Sequence, residues 1–272
     1  MYTIPYPQFD PVIFALGPLQ VRWYGLMYIL GFAASYLLVK KQIRDFSFER
    51  LGDHFDNLNM VLILCVVLGG RLGYVFFYNF SYYLAHPLEI PATWQGGMSF
   101  HGACIALIAG GLLFCRKQSL NFWKTADIYV ATVPVGLFFG RIGNFINGEL
   151  YGRITSTGIG MVFPGGGPLP RHPSQLYEAL LEGAALFVLV WAAHKKPWKA
   201  SAQNRRLWPH GSILALFLIG YGIFRIVVEN FRQPDPQLGF LFTSLTMGQL
   251  LSGLMVAAGA LLWIIRIRYA TI

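Results

Sequence analysis

The stretch Asn59–Tyr78, NMVLILCVVLGGRLGYVFFY, carries a single charge, Arg71. A helix rising about 1.5 Å per residue crosses the roughly 30 Å of bilayer hydrocarbon in about 20 residues, and this run has that length. Working outward, comparable apolar runs occupy Val21–Val39, Met98–Cys115, Thr125–Gly140, Gln175–Ala193, Ser212–Val228 and Met247–Ile265, the one after Thr125 being the shortest. Composition agrees. The 272 residues are 55% hydrophobic and 12% charged, where a soluble domain carries about 25% charge. The expected architecture is an all-α polytopic membrane protein with about seven transmembrane helices. A single transmembrane domain would cover residues 1–272, with a small outer head formed by residues 143–173 between spans four and five.

No basic residue precedes Arg22. A cleavable signal peptide opens with a positive region, so none is expected and the first span inserts the chain. Cys65, Cys104 and Cys115 all fall inside apolar runs, where cysteine behaves as a small buried hydrophobe. Neither a disulfide framework nor metal-ligand spacing is present, so neither metal nor cofactor is expected.

The formal net charge of +9 is sorted along the chain. Basic residues cluster at Lys40, Lys41, Arg44 and Arg50, at Arg116, Lys117 and Lys124, at Lys195, Lys196, Lys199, Arg205 and Arg206, and at Arg266 and Arg268. These segments alternate with the spans as the positive-inside rule requires. They are expected in the cytoplasm, with the N-terminus outside and the C-terminus inside. Topology explains the charge, so no nucleic acid is expected as a partner. The remaining basic residues, Arg22, Arg71, Arg141, Arg153, Arg171, Arg225 and Arg232, are all arginine. Arginine stays charged when buried, and its planar fork matches phosphate or carboxylate. Charges inside a membrane mark function by default.

With that orientation, the deep polar residues of six spans share the outer half. Arg71, Tyr74 and Tyr78 stand at i, i+3 and i+7; Arg141, Asn144 and Gly148 repeat the offsets as far as the helix lasts. Gln175, Glu178 and Glu182 repeat them again, and Arg225, Glu229 and Arg232 follow at i, i+4 and i+7. Such offsets line one helical face. An arginine-lined cavity open to outer-leaflet headgroups accounts for the set better than interhelical ion pairs alone. A transporter fits less well, since the charges stop at mid-depth and the halves show no repeat. A retinal-type receptor needs a mid-membrane lysine, and there is none.

The most specific segment is Gly140-Arg141-Ile142-Gly143-Asn144-Phe145-Ile146-Asn147-Gly148-Glu149-Leu150-Tyr151-Gly152-Arg153. With Trp23–Tyr28, Gly69–Tyr74, Gly96–Gly102, Arg171–Glu178 and Phe224–Pro234, it resembles the prolipoprotein diacylglyceryl transferase family, in order along almost the whole chain. Small departures are Ala103, where the family often has glycine, and a short Tyr151–Arg171 insert.

The resemblance implies transfer of a diacylglyceryl group from phosphatidylglycerol to the lipobox cysteine of a prolipoprotein signal peptide, in the bacterial cytoplasmic (inner) membrane. Glycerol phosphate leaves, and the active site faces the outer side. The expected catalytic set is His101, as general base, with Arg141 and Arg225 on the phosphate. The expected substrate-binding set is Tyr24, Arg71, Tyr78, Asn144, Asn147, Glu149, Gly152, Glu178, Glu229 and Arg232. Glu149, Glu178 and Glu229 would orient the arginines or tune His101. His172-Pro173 marks a helix start, and Trp198 and Trp208 are expected as interface anchors.

The topology predicts that a cysteine placed near residue 200 reacts with an impermeant maleimide only after permeabilisation. Labelling in intact right-side-out spheroplasts would overturn the orientation.

Overall fold

The structure is a computed structural model that describes residues 3–17, 19–199, 206–233, 240–241 and 245–270. Pro18, Arg205 and Pro234 lie outside the described residues. Among the described residues, seven helical segments are long and apolar enough to cross a membrane: Trp23–Asp45, Glu49–Tyr78, Phe100–Lys117, Phe122–Ile146, Ser174–Trp198, Ser212–Glu229 and Met247–Tyr269. The second begins ten residues before its apolar run. The extension is amphipathic, burying Leu51, Phe55 and Leu58 at helical spacing, and a search for uniformly apolar windows misses such a stretch.

Two short antiparallel hairpins are additions to the all-helical expectation. β1 (Val12–Leu16) pairs with β2 (Leu19–Arg22), which runs straight into the first span; β3 (Phe240–Leu241) pairs with β4 (Leu245–Thr246), which runs into the seventh. The chain divides into two compact units. One comprises residues 1–42 and 126–272, the other residues 43–125.

The fourth span, which enters the larger unit at Ala126, is two helices, Phe122–Val130 and Val133–Ile146. Pro134 lacks an N–H and crowds the preceding turn, which breaks the ladder there. A carbonyl freed inside a membrane needs a partner, and Ser35 Oγ donates to Thr132 O at 3.3 Å. Val130, Ala131, Leu186, Val190, Ala193 and Ile213 form the apolar core where the fourth, fifth and sixth spans meet. At its edge the buried Asp127 accepts N–H bonds from Gly211 (2.7 Å), Ile213 (3.1 Å) and Leu214 (3.0 Å). It thereby satisfies orphan donors at the start of the sixth span.

In the smaller unit, spans two and three cross at glycines. A Cβ on Gly69 would stand 2.7 Å from Gly102 O, and one on Gly73 would stand 2.7 Å from Gly102 Cα. Small residues spaced by four let membrane helices approach at backbone distance. Gly69→Val is expected to cost about 1–3 kcal/mol, as overpacking does. Gly253→Ala, where nothing lies within 4 Å of the added Cβ, serves as the neutral control in thermal melts of the detergent-solubilised protein.

Candidate functional site

The larger unit gathers charge from three spans. Arg141, late in the fourth, places Nη2 2.8 Å from Glu178 Oε2 and 3.8 Å from Glu182 Oε2. Arg225, in the sixth, places Nη1 3.1 Å from the same Glu178 oxygen and 3.3 Å from Glu182 Oε1, and Nη2 3.1 Å from Glu229 Oε2 one turn on. The side chains of Glu178 and Glu182 are 0% exposed, while Arg141 and Arg225 keep 18% and 11%. The arginines are thus clamped from the buried side and keep their remaining surface free.

Local structure explains the convergence. A π-helical stretch, Ala179–Ala185, interrupts the fifth span directly after Glu178 and contains Glu182. Such bulges are frequent at functional sites because they re-aim side chains. Gly183 within it lies against Phe138, where a Cβ would stand 2.8 Å from the Phe138 Cα, so the fourth and fifth spans approach closely. Glu229 is held by Thr246 Oγ1 at 3.0 Å, and Gly248 leaves room for its carboxylate, since a Cβ there would stand 2.6 Å from Oε1.

Beside this cluster the helix of Arg141 and Asn144 ends at Ile146, so Gly148 does not continue their face; it adopts φ +66°. Its place in the turn is fixed by Tyr6, whose hydroxyl donates to Phe145 O (2.7 Å) and Ile146 O (3.0 Å). Sequence reading has no signal for Tyr6, which is 139 residues away from its acceptor. Glu149 does not pair with an arginine. Its Oε1 accepts from Asn144 Nδ2 at 2.9 Å and Asn147 Nδ2 at 3.3 Å, and its backbone carbonyl accepts from Gln175 Nε2 at 2.6 Å. Tyr24 is half-buried, its hydroxyl 3.1 Å from that of Tyr28. A Cβ on Gly143 would stand 3.0 Å from its ring.

Gly152 and Arg232 meet as backbone. They form an antiparallel bridge, Gly152 N donates to His172 O at 2.8 Å, and a Cβ on Gly152 would stand 2.8 Å from His172 Cβ. Gly152 therefore permits a close approach of three backbone segments. Burial pushes the His172 imidazole below its ordinary pKa.

The other three expected residues belong to the smaller unit. Arg71 is buried and its guanidinium donates four hydrogen bonds to backbone: Nε to Ile90 O (2.6 Å), Nη1 to Gly96 O (2.6 Å) and Gly97 O (3.3 Å), Nη2 to Glu89 O (2.7 Å). It also lies over the Tyr83 ring at 5.1 Å. That geometry shapes the loop preceding the third span. Tyr78 is exposed and stacks on Tyr74 at 5.7 Å. His101 is exposed in the first turn of the third span, next to Gly102, whose N–H is capped by Ser99 Oγ at 3.2 Å. Among the described residues no cluster of three His, Cys, Asp or Glu side chains is placed to hold a metal.

Glu182 is the main addition to the expected site. It shares a face with Glu178 in the sequence, but only the structure shows it touching both arginines.

A family model described as prolipoprotein diacylglyceryl transferase matches residues 11–265. A relative from Desulfotalea psychrophila is 64% identical over 266 residues, covering 98% of this chain and 96% of its own. One from Geobacter sulfurreducens is 50% identical over 247 residues, covering 91% of each chain. One from Rhodospirillum rubrum is 46% identical over 267 residues, covering 97% of this chain and 95% of its own. All three are named phosphatidylglycerol–prolipoprotein diacylglyceryl transferase.

Removing one partner from a buried ion pair strands the other charge and costs about 3–5 kcal/mol. Glu178→Ala is expected to lose stability on that scale in thermal unfolding, and Glu149→Ala, whose residue is exposed, clearly less.

Proposed function

This chain belongs to the prolipoprotein diacylglyceryl transferase family, and from that premise we propose that Arg141 and Arg225 hold the phosphate of phosphatidylglycerol while a cysteine thiol attacks the lipid. The activity is transfer of the diacylglyceryl group from phosphatidylglycerol to a prolipoprotein, the first step of lipoprotein maturation. The protein is a multi-pass membrane protein. The observation that carries the site assignment is the pair of guanidiniums clamped by buried carboxylates yet partly exposed.

The reaction balances simply. The lipobox thiol loses its proton to His101, and the thiolate attacks the glyceryl carbon that bears the phosphate ester. The carbon–oxygen bond breaks, a thioether forms, and glycerol phosphate departs with the electron pair. The leaving phosphate gains charge as that bond breaks. Arginines already fixed in place stabilise this charge without reorganising, and most strongly where water is excluded. An ordinary thiol has a pKa of about 8.5, so a base helps at neutral pH. Imidazole at His101, exposed at the start of its span, has the chemistry for this.

Asn144, Asn147 and Glu149 form a hydrogen-bonded group on the turn after Arg141 and would bind headgroup hydroxyls, with Tyr24 beside them. Tyr78 would add a contact from the second span. Glu178 and Glu229 hold the arginines in register; Arg71, Gly152 and Arg232 support the substrate-binding loops. A single transmembrane domain, residues 143–173 as an outer head, an N-terminus outside and a site facing the outer leaflet of the bacterial inner membrane complete the proposal. They rest on the alternating basic segments. Nucleic acid has no part in it.

The test is release of glycerol phosphate from phosphatidylglycerol by purified protein and a lipobox peptide. Arg141→Lys and Arg225→Lys are expected to lose most activity, because lysine lacks the planar fork. Near-normal rates in both would reduce the arginines to point charges. His101→Gln is expected to slow transfer by about 100- to 10,000-fold, with a deficit that shrinks as pH approaches the thiol pKa. A deficit constant from neutral to alkaline pH would leave His101 without a role as base.

A further inference from the structure

The charge count of the buried cluster does not suit an anion. Two guanidiniums, Arg141 and Arg225, face three carboxylates, Glu178, Glu182 and Glu229. With every group ionised the formal charge is one negative before any phosphate arrives. A phosphodiester would then bring a second uncompensated charge into a region of low dielectric, where like charges repel most.

We propose that Glu182 carries a proton when the lipid is bound, so that Glu178 and Glu229 alone balance the two arginines and the phosphate meets a neutral site. The inference rests on the reading of Arg141 and Arg225 as the phosphate-binding pair.

Geometry singles out Glu182 among the three. Glu178 Oε2 bridges both guanidiniums, at 2.8 and 3.1 Å. Glu229 has Arg225 Nη2 at 3.1 Å and a hydroxyl donor from Thr246 at 3.0 Å. Glu182 has the longest contacts, 3.3 Å to Arg225 and 3.8 Å to Arg141, although its side chain is fully buried. Its Oε2 is a buried oxygen without a hydrogen bond, as are Glu178 Oε1 and Glu229 Oε2. A proton on Glu182 Oε2 removes one of these unmet acceptors, and a buried acceptor left unmet is costly. Two neighbouring carboxylates in one dry site share a proton for the same reason. The charged and titratable groups around Glu182 are Arg141 from the fourth span, Glu178 from its own, and Tyr221 and Arg225 from the sixth, with Glu229 beyond Arg225. The arginines that would hold it ionised are already engaged by Glu178.

Glu182 is thus a positioning residue, acting on the lipid through the net charge of the arginines. Its loss of a proton at alkaline pH would weaken phosphatidylglycerol binding on the order of tenfold, the effect of one added negative charge nearby.

The experiment is infrared spectroscopy of the full-length protein in phosphatidylglycerol nanodiscs, in light and heavy water, combined with phosphatidylglycerol affinity between neutral and alkaline pH. The wild type should show the carbonyl band of a protonated carboxylic acid. Glu182→Gln should remove it and abolish the alkaline loss of affinity, while Glu182→Asp, which keeps an acid at that place, should shift the band without removing it. Glu182→Ala reads the same band if glutamine is not tolerated. A difference spectrum against Asp127→Asn accounts for the other buried acid. A band that survives in Glu182→Gln and Glu182→Ala, or one that does not move in Glu182→Asp, overturns the inference even if the arginines bind phosphate. If Arg141→Gln and Arg225→Gln bind phosphatidylglycerol as tightly as the wild type, the phosphate reading falls and takes the inference with it.

Discussion

Everything in the larger unit that bears on function depends on one constraint: a guanidinium placed in the apolar interior must be held by a counter-charge or it will not stay there. Arg141 and Arg225 come from different helices and share a single oxygen, Glu178 Oε2. That oxygen fixes the relative depth and rotation of the fourth, fifth and sixth spans. The π-helical stretch at Ala179–Ala185, the close approach at Gly183 and the gap left by Gly248 are local departures from regular helix packing. Each makes sense as accommodation of the carboxylates around that point.

The same residue type serves a different end in the smaller unit. Arg71 is likewise late in its helix, but four backbone carbonyls from Glu89, Ile90, Gly96 and Gly97 accept from its guanidinium. For these arginines inside spans the ligand is decided by what lies opposite. Carbonyls fill the fork of Arg71 and leave a shaped loop. Carboxylates behind Arg141 and Arg225 leave partly exposed guanidiniums.

The fold was legible because the bilayer imposes a length and a polarity on each span, and all seven runs were recovered with their order. What escaped was structure that the bilayer does not dictate. The amphipathic start of the second span, Glu49–Leu58, looks soluble in a hydropathy window, and hairpins of two to five residues leave no periodic trace. At the site, the helical offsets of Arg225 with Glu229 and of Gln175 with Glu178 were readable. The partner of Glu149 was not, because Asn144 and Glu149 meet only where the helix ends and Gly148 turns at positive φ. Glu182 was visible as a face but not as a contact, since a wider helical turn sets which way it points.

A lipid phosphate entering this site cannot gain by displacing the carboxylates. Each displaced carboxylate would become an unpaired charge at full burial, a larger penalty than one phosphate contact returns. The phosphate has to use the donors that the ion pairs leave over, on guanidiniums already oriented by Glu178. Binding there would be an addition to a finished cluster, and the arginines would not need to move as negative charge grew on the departing oxygen. Preorganisation of this kind favours the transition state over the bound lipid, because the phosphodiester carries less charge on that oxygen than the leaving group does. On the proposed reading, the carboxylates would contribute to transfer by keeping the arginines still, even though their sign opposes that of the substrate.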